Sequence, residues 1–180
     1  EQGYGVVAPD MFWRFDPDFV ADPSKPEELE KAFSYLQTVD HDKAVDDMAT
    51  SLAAVKAMPE CNGKVGVTGF CLGGTFTYLA AARLEIDAAV AYYGTQIHEY
   101  LDEGKNVTCP MIFHMGEQDD TFSVEDRNKI HGALIGKENV SIYMYDAGHA
   151  FANSDRPDAH NLAAAEAAHE RSFKLFDTLL

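Results

Sequence analysis

The sequence predicts an α/β fold: one mostly parallel sheet with helices on both faces. Three observations carry this reading. Strand-like and helix-like patterns alternate along most of the chain. Strand candidates such as Val65–Val67 and Ala88–Ala91 are apolar at consecutive positions, as strands covered on both faces are. Three polar residues of catalytic type each follow the end of a strand candidate, the edge at which such sheets bind ligands.

The elements follow in order. Gly5–Ala8 reads as a short apolar strand closed by the turn Pro9-Asp10, and Met11–Pro26 as a loop rich in Asp, Pro and aromatic residues. Glu27–Leu36 has helical spacing, with Leu29, Ala32, Phe33 and Leu36 on one face. Lys43–Met58 repeats that spacing with Val45, Met48, Ala49, Leu52 and Val55, and Asp40 or Asp42 is placed to cap it. Lys64–Phe70 is a strand, followed by a helix over Leu72–Leu84. Ala88–Tyr93 and Met111–Met115 are further strands, with the polar connection Glu99–Asn106 between them. Val124–Ile135 is a helix stopped by Gly136, Ser141–Tyr145 a strand, and Ala159–Leu180 the terminal helix. Neither an internal repeat nor a second domain is visible, so residues 1–180 read as one domain.

Composition narrows the function. A chain of 180 residues, 46% hydrophobic, can bury a sizeable core. Its net charge of −16 argues against nucleic acid or an anionic membrane as partner. No apolar run approaches the ~18 residues of a membrane span, and the stretch from Glu1 does not read as a signal peptide. Three cysteines do not make a disulfide framework, and the odd count fits a reducing, cytoplasmic setting. Neither a metal-ligand spacing nor a dinucleotide fingerprint occurs, so no metal or cofactor is expected.

The most telling stretch is Val65-Gly66-Val67-Thr68-Gly69-Phe70-Cys71-Leu72-Gly73-Gly74. A strand runs into Gly-x-Cys-x-Gly-Gly and a helix follows, the layout of a nucleophile elbow with Cys at the usual Ser position. Gly69 and Gly73 are expected to spare the turn from crowding Cβ atoms. The helix beginning at Leu72 aims its N-terminus at the sulfur and favours negative charge there. A free Cys is commonly only a small buried hydrophobe. Its setting separates Cys71 from Cys61, in a turn, and from Cys109, just before a strand.

Two further residues complete a set. Asp119 or its neighbour Asp120 follows the strand Met111–Met115, and His149 follows Ser141–Tyr145. The order nucleophile, acid, His is the α/β-hydrolase order. A thiolate would attack a carbonyl, His149 would move the proton, and the carboxylate would orient the imidazole. The other histidines lie in polar connections or on helices, and His114, inside a strand, reads as a satisfied core or edge residue.

On these residues the chain resembles the dienelactone hydrolase family, cysteine hydrolases of the α/β-hydrolase fold. The matching pieces are Pro9-Asp10-Met11-Phe12, Gly63-Lys64-Val65-Gly66, Gly69–Gly74, Tyr92-Tyr93-Gly94, His114–Asp119 and Ala147–Ala152, in family order over nearly the whole chain. The resemblance implies Cys71, Asp119 and His149 as the triad, choosing Asp119 over Asp120. It implies the backbone N–H of Leu72 as an oxyanion donor and Arg14 as the anchor for a substrate carboxylate. The competing reading of Arg14 is a surface charge near Asp16 and Asp18.

Two departures qualify the match. Asn153 stands where family members acting on dienelactone carry a second Arg, which loosens the tie to that substrate. The family's first strands, an acidic residue and the other oxyanion N–H are expected before Glu1. The chain therefore reads as the C-terminal major part of such a domain, and weak activity is expected of it alone. The implied function is hydrolysis of a small ester or enol-lactone, with or without a carboxylate, by a monomer or small homo-oligomer. The alternatives are a redox-sensing or binding module built on Cys71, an inactive fragment, and a glutamine amidotransferase-like enzyme. The last lacks its His-x-Glu, because Ala150-Phe151 follows His149.

Overall fold

The structure, a computed structural model, describes residues 3–22 and 25–180. Glu1 and positions 23–24 of the expected Met11–Pro26 loop lie outside the described residues. The chain groups into two compact units, one reaching to Cys61 and one running from Asn62 to Leu180.

The first unit holds helices α1 (Pro26–Thr38) and α2 (His41–Lys56). Pro26 opens α1, where its missing N–H costs nothing, and Glu27 and Glu28 favour the positive end of the helix dipole. Leu29, Ala32 and Leu36 are half-buried, but Phe33, at the edge of that stripe, is 59% exposed. Asp40, not Asp42, caps α2: its Oδ1 accepts from the N–H groups of Asp42 and Lys43. The expected strand Gly5–Ala8 does not form. A strand needs a ladder partner, and the segment pairs with none among the described residues, leaving Val6 84% exposed.

The second unit is a four-stranded parallel sheet in the order β1 (Gly66–Phe70), β2 (Ala88–Tyr92), β3 (Met111–Gly116), β4 (Val140–Tyr145). Between the strands run α3 (Leu72–Arg83), a 3₁₀ segment (Ile97–Asn106) and α4 (Val124–Leu134), and α5 (Leu162–Leu179) closes the chain. The connection expected over Glu99–Asn106 is thus helical, with a break at Tyr100. β2 and β3 are buried throughout, which explains their unbroken apolar runs.

Adjacent residues of one strand show that both faces are covered. Phe113 meets Tyr78 of α3 at a centroid distance of 6.1 Å. His114, pointing the other way, bonds Ser172 of α5 through Nε2 at 3.0 Å. Its Nδ1 meets the Tyr145 hydroxyl at 2.8 Å, and Ser172 Oγ lies 2.6 Å from the Tyr92 hydroxyl. His114 is therefore a core residue with both nitrogens satisfied. Burial first, then the positive charge of Arg171, pushes its pKa down to about 3, so it stays neutral at ordinary pH.

Candidate active site

The parallel register brings the strand ends to one edge. Phe70 pairs with Tyr92, and Tyr92 with His114. Loops leaving that edge carry Cys71, Tyr93, Asp119 and His149.

Cys71 sits between β1 and α3 with φ 56° and ψ −124°, a conformation costing a non-Gly residue about 1–3 kcal/mol. Hydrogen bonds hold it there. Its N–H donates to Tyr92 O at 3.0 Å, and its carbonyl accepts from Gly74 N at 2.9 Å. A Cβ on Gly69 would overlap the Gly73 carbonyl, so that glycine is required for the turn. The expectation for Gly73 is corrected: a Cβ there meets open space. Gly74 is the second necessary glycine, since a Cβ on it would stand 2.7 Å from Tyr92 O. The tight approach of α3 to the end of β2 falls at Gly74. Leu72 is the first residue of α3, where helix geometry supplies its N–H with no intrahelical acceptor.

Asp119 leaves the end of β3 with its side chain fully buried. Its loop is tied down from two sides. Arg127 of α4 donates through Nη1 to the carbonyls of Gly116 and Glu117, and Gln118 N donates to Ala147 O. Asp119 Oδ2 accepts from His149 Nδ1 at 2.8 Å. Its Oδ1 accepts from Thr121 N at 3.0 Å and from Thr121 Oγ1 at 2.6 Å. Burial opposes the carboxylate, but the bonds from His149 and Thr121 win and hold its pKa below the usual value.

His149 is 17% exposed and lies in the loop after β4. Burial works against its charge. Hydrogen bonds to Asp119 and Cys71, with the negative charge of both, outweigh burial and lift its pKa to about 9. The Tyr93 ring stands against the imidazole edge-on, with centroids 5.0 Å apart. Burial, then negative charge at Cys71, Tyr92 and Asp119, raises the Tyr93 phenol, which stays protonated. Tyr93 and Ala150 have φ of 38° and 59°. With Cys71, they are three of the four described non-glycine residues with positive φ, so backbone strain concentrates around this cluster.

The structure thus brings Cys71, Asp119 and His149 together in the second unit, with Leu72 beside the sulfur's residue. Asp120 is exposed and takes no part in these bonds. Arg14 belongs to the first unit, where its Nη2 and Nε bond the Asp47 carboxylate at 2.6 and 3.2 Å. It lines a cavity of about 320 Å³ there. Cys109 is buried and its thiol pKa is pushed up by that burial. Sequence reasoning missed Thr121 and assigned no role to Tyr93. The spacing Asp-x-Thr was the available signal for Thr121, because an Asp side chain readily accepts the N–H two residues on. Among the described residues, no group of three or more His, Cys, Asp or Glu is placed to hold a metal. No described helix is long and apolar enough to cross a membrane.

Comparison with known proteins agrees with this architecture. The profile of the dienelactone hydrolase family matches residues 1–180. The chain is 33% identical to carboxymethylenebutenolidase 1 of Cupriavidus pinatubonensis, over 98% of this chain and 75% of that protein. It is 34% identical to the carboxymethylenebutenolidase of Pseudomonas putida, over 95% of this chain and 72% of that protein. The crystal structure of a protein assigned as a dienelactone hydrolase from Klebsiella pneumoniae superposes with a TM-score of 0.78 at 23% identity. That match covers 94% of this chain and 73% of the other and supports the fold. The chain belongs to the dienelactone hydrolase family and is a hydrolase of that type.

Proposed function

We propose that the chain hydrolyses a small ester or enol-lactone through Cys71, His149 and Asp119, by way of a thioester on Cys71. The observation that carries the reading is His149, bonded through Nδ1 to buried Asp119 and close enough to Cys71 for the two to interact electrostatically. The names of the carboxymethylenebutenolidase relatives favour a lactone as the substrate class.

The steps follow from these groups. The Cys71 sulfur, as thiolate, attacks the carbonyl carbon, and the C=O electron pair moves onto oxygen. The N–H of Leu72, the first residue of α3 and without an intrahelical acceptor, is the proposed donor to that oxyanion. The tetrahedral intermediate collapses, the C–O bond to the leaving group breaks, and the imidazolium of His149 gives its proton to the departing alkoxide. Neutral His149 then takes a proton from water as the water attacks the thioester. Loss of the thiolate releases the acid. Asp119 stabilises the imidazolium throughout and keeps a proton on Nδ1. For a carboxylated substrate Arg14 is the proposed anchor, and its guanidinium would exchange Asp47 for the substrate carboxylate.

The test is turnover of a chromogenic small ester combined with mass spectrometry. Cys71→Ala is expected to abolish turnover, whereas Cys61→Ala and Cys109→Ala keep it. A brief exposure to an activated ester should leave an acyl group on Cys71. Turnover surviving in Cys71→Ala, or oxidation products as the only modification of Cys71, would overturn the reading.

A further inference from the structure

We infer that Thr121 is a positioning residue that keeps His149 Nδ1 a donor and so reserves Nε2 for the reaction, an inference that rests on the triad proposed above. Thr121 has one hydroxyl proton and two neighbours that could receive it. Asp119 Oδ1 lies 2.6 Å from Thr121 Oγ1, and His149 Nδ1 lies 3.1 Å away. The shorter bond, to a charged acceptor, is the stronger one and takes the proton. The Thr121 oxygen then faces His149 with lone pairs only.

The consequence for the imidazole is chemical. Two acceptors, Asp119 Oδ2 at 2.8 Å and Thr121 Oγ1 at 3.1 Å, converge on Nδ1. A neutral His149 protonated on Nε2 instead would aim its Nδ1 lone pair at both of them. That tautomer is unfavourable, so neutral His149 keeps its proton on Nδ1, and Nε2 is free to accept the proton of the attacking water. The backbone N–H of Thr121, also on Oδ1, stops the carboxylate from rotating away. The other groups facing His149 are Cys71 and the edge-on ring of Tyr93. Among the described residues, Nδ1 meets no hydrogen-bond acceptor besides Asp119 Oδ2 and Thr121 Oγ1, so the hydroxyl of Thr121 has no substitute there.

Thr121→Val keeps the shape and the backbone N–H but removes the hydroxyl. Its kcat is expected to fall by roughly 3- to 10-fold with KM unchanged, the scale of one ordinary hydrogen bond. The pH limb set by His149 should shift to lower pH, because the imidazolium loses an acceptor. Nitrogen-15 NMR of histidine-labelled protein should show a smaller share of the Nδ1–H tautomer once His149 is neutral. Thr121→Ser should restore rate, pH profile and tautomer. Wild-type kcat and pH profile in a folded Thr121→Val would overturn the role, as would a Thr121→Ser variant impaired like Val. Both are read beside Cys71→Ala. An inactive Cys71→Ala with an unaffected Thr121→Val removes only the inference about Thr121, whereas an active Cys71→Ala removes the triad and the inference together.

Discussion

Charge on His149 connects the site to stability. Its pKa rises from 6.5 to about 9 on folding, because the bonds to Asp119 and Cys71 outweigh burial. Below pH ~6.5 both folded and unfolded chains hold the proton, and the stabilisation is fully present. Between pH 6.5 and 9 the folded chain holds more protons than the unfolded one, so stability falls as pH rises. Urea unfolding across that window should show the fall in the wild type and lose most of it in His149→Asn. An equal slope in both proteins would contradict the link. Asp119 has the opposite sign: its pKa is depressed, so its contribution is lost only as pH falls below the ordinary carboxylate range.

At the scale of elements, the turn from β1 into α3 separates two glycines that look alike in sequence. A Cβ at Gly69 would collide with backbone at Gly73, which cannot swing aside as a flexible side chain can. Gly69→Ala should cost about 2–3 kcal/mol or more and disturb the Cys71 turn. Gly73→Ala meets open space on a helix, so it should cost nothing and gain up to about 1 kcal/mol. Denaturant unfolding of the two variants checks this directly, and equal destabilisation would refute it. The elements themselves were legible in the sequence because their signals are local. Helical spacing found α2 within two residues at either end, and runs of apolar residues found β1 to β4. Gly5–Ala8 carried the same apolar signal and formed no strand, because pairing depends on a neighbouring strand rather than on its own residues.

For the molecule as a whole, the net charge of −16 sets a background of self-repulsion. Among the described residues, ion pairs such as Lys129 with Glu125 and Arg156 with Asp158 are exposed at both partners and worth little singly. Screening should therefore relieve repulsion more than it weakens pairing. Raising sodium chloride from ~10 to ~150 mM shortens the Debye length from about 30 to 8 Å. The expected result is a rise in melting temperature of roughly 2–4 °C, equivalent to about 1 kcal/mol. Calorimetry at the two salt levels checks it: a lower value would show that the pairs outweigh the repulsion, and an unchanged one that the two cancel, and either would refute the expectation.

By itself, the sequence determined the order of elements, the parallel sheet, membership of the family, and the three side chains singled out at strand ends. Those follow from local periodicity and from short motifs in which each residue's role depends on its neighbours. Tertiary structure decided what those side chains touch. The choice of Asp119 over Asp120 became a set of hydrogen bonds only when the loops after β3 and β4 were tied together. The second required glycine proved to be Gly74 because α3 meets the end of β2 there. Thr121 came to lie between Asp119 and His149, 28 residues from its imidazole partner. Contacts of that kind depend on strand register and loop path, which no window of sequence contains.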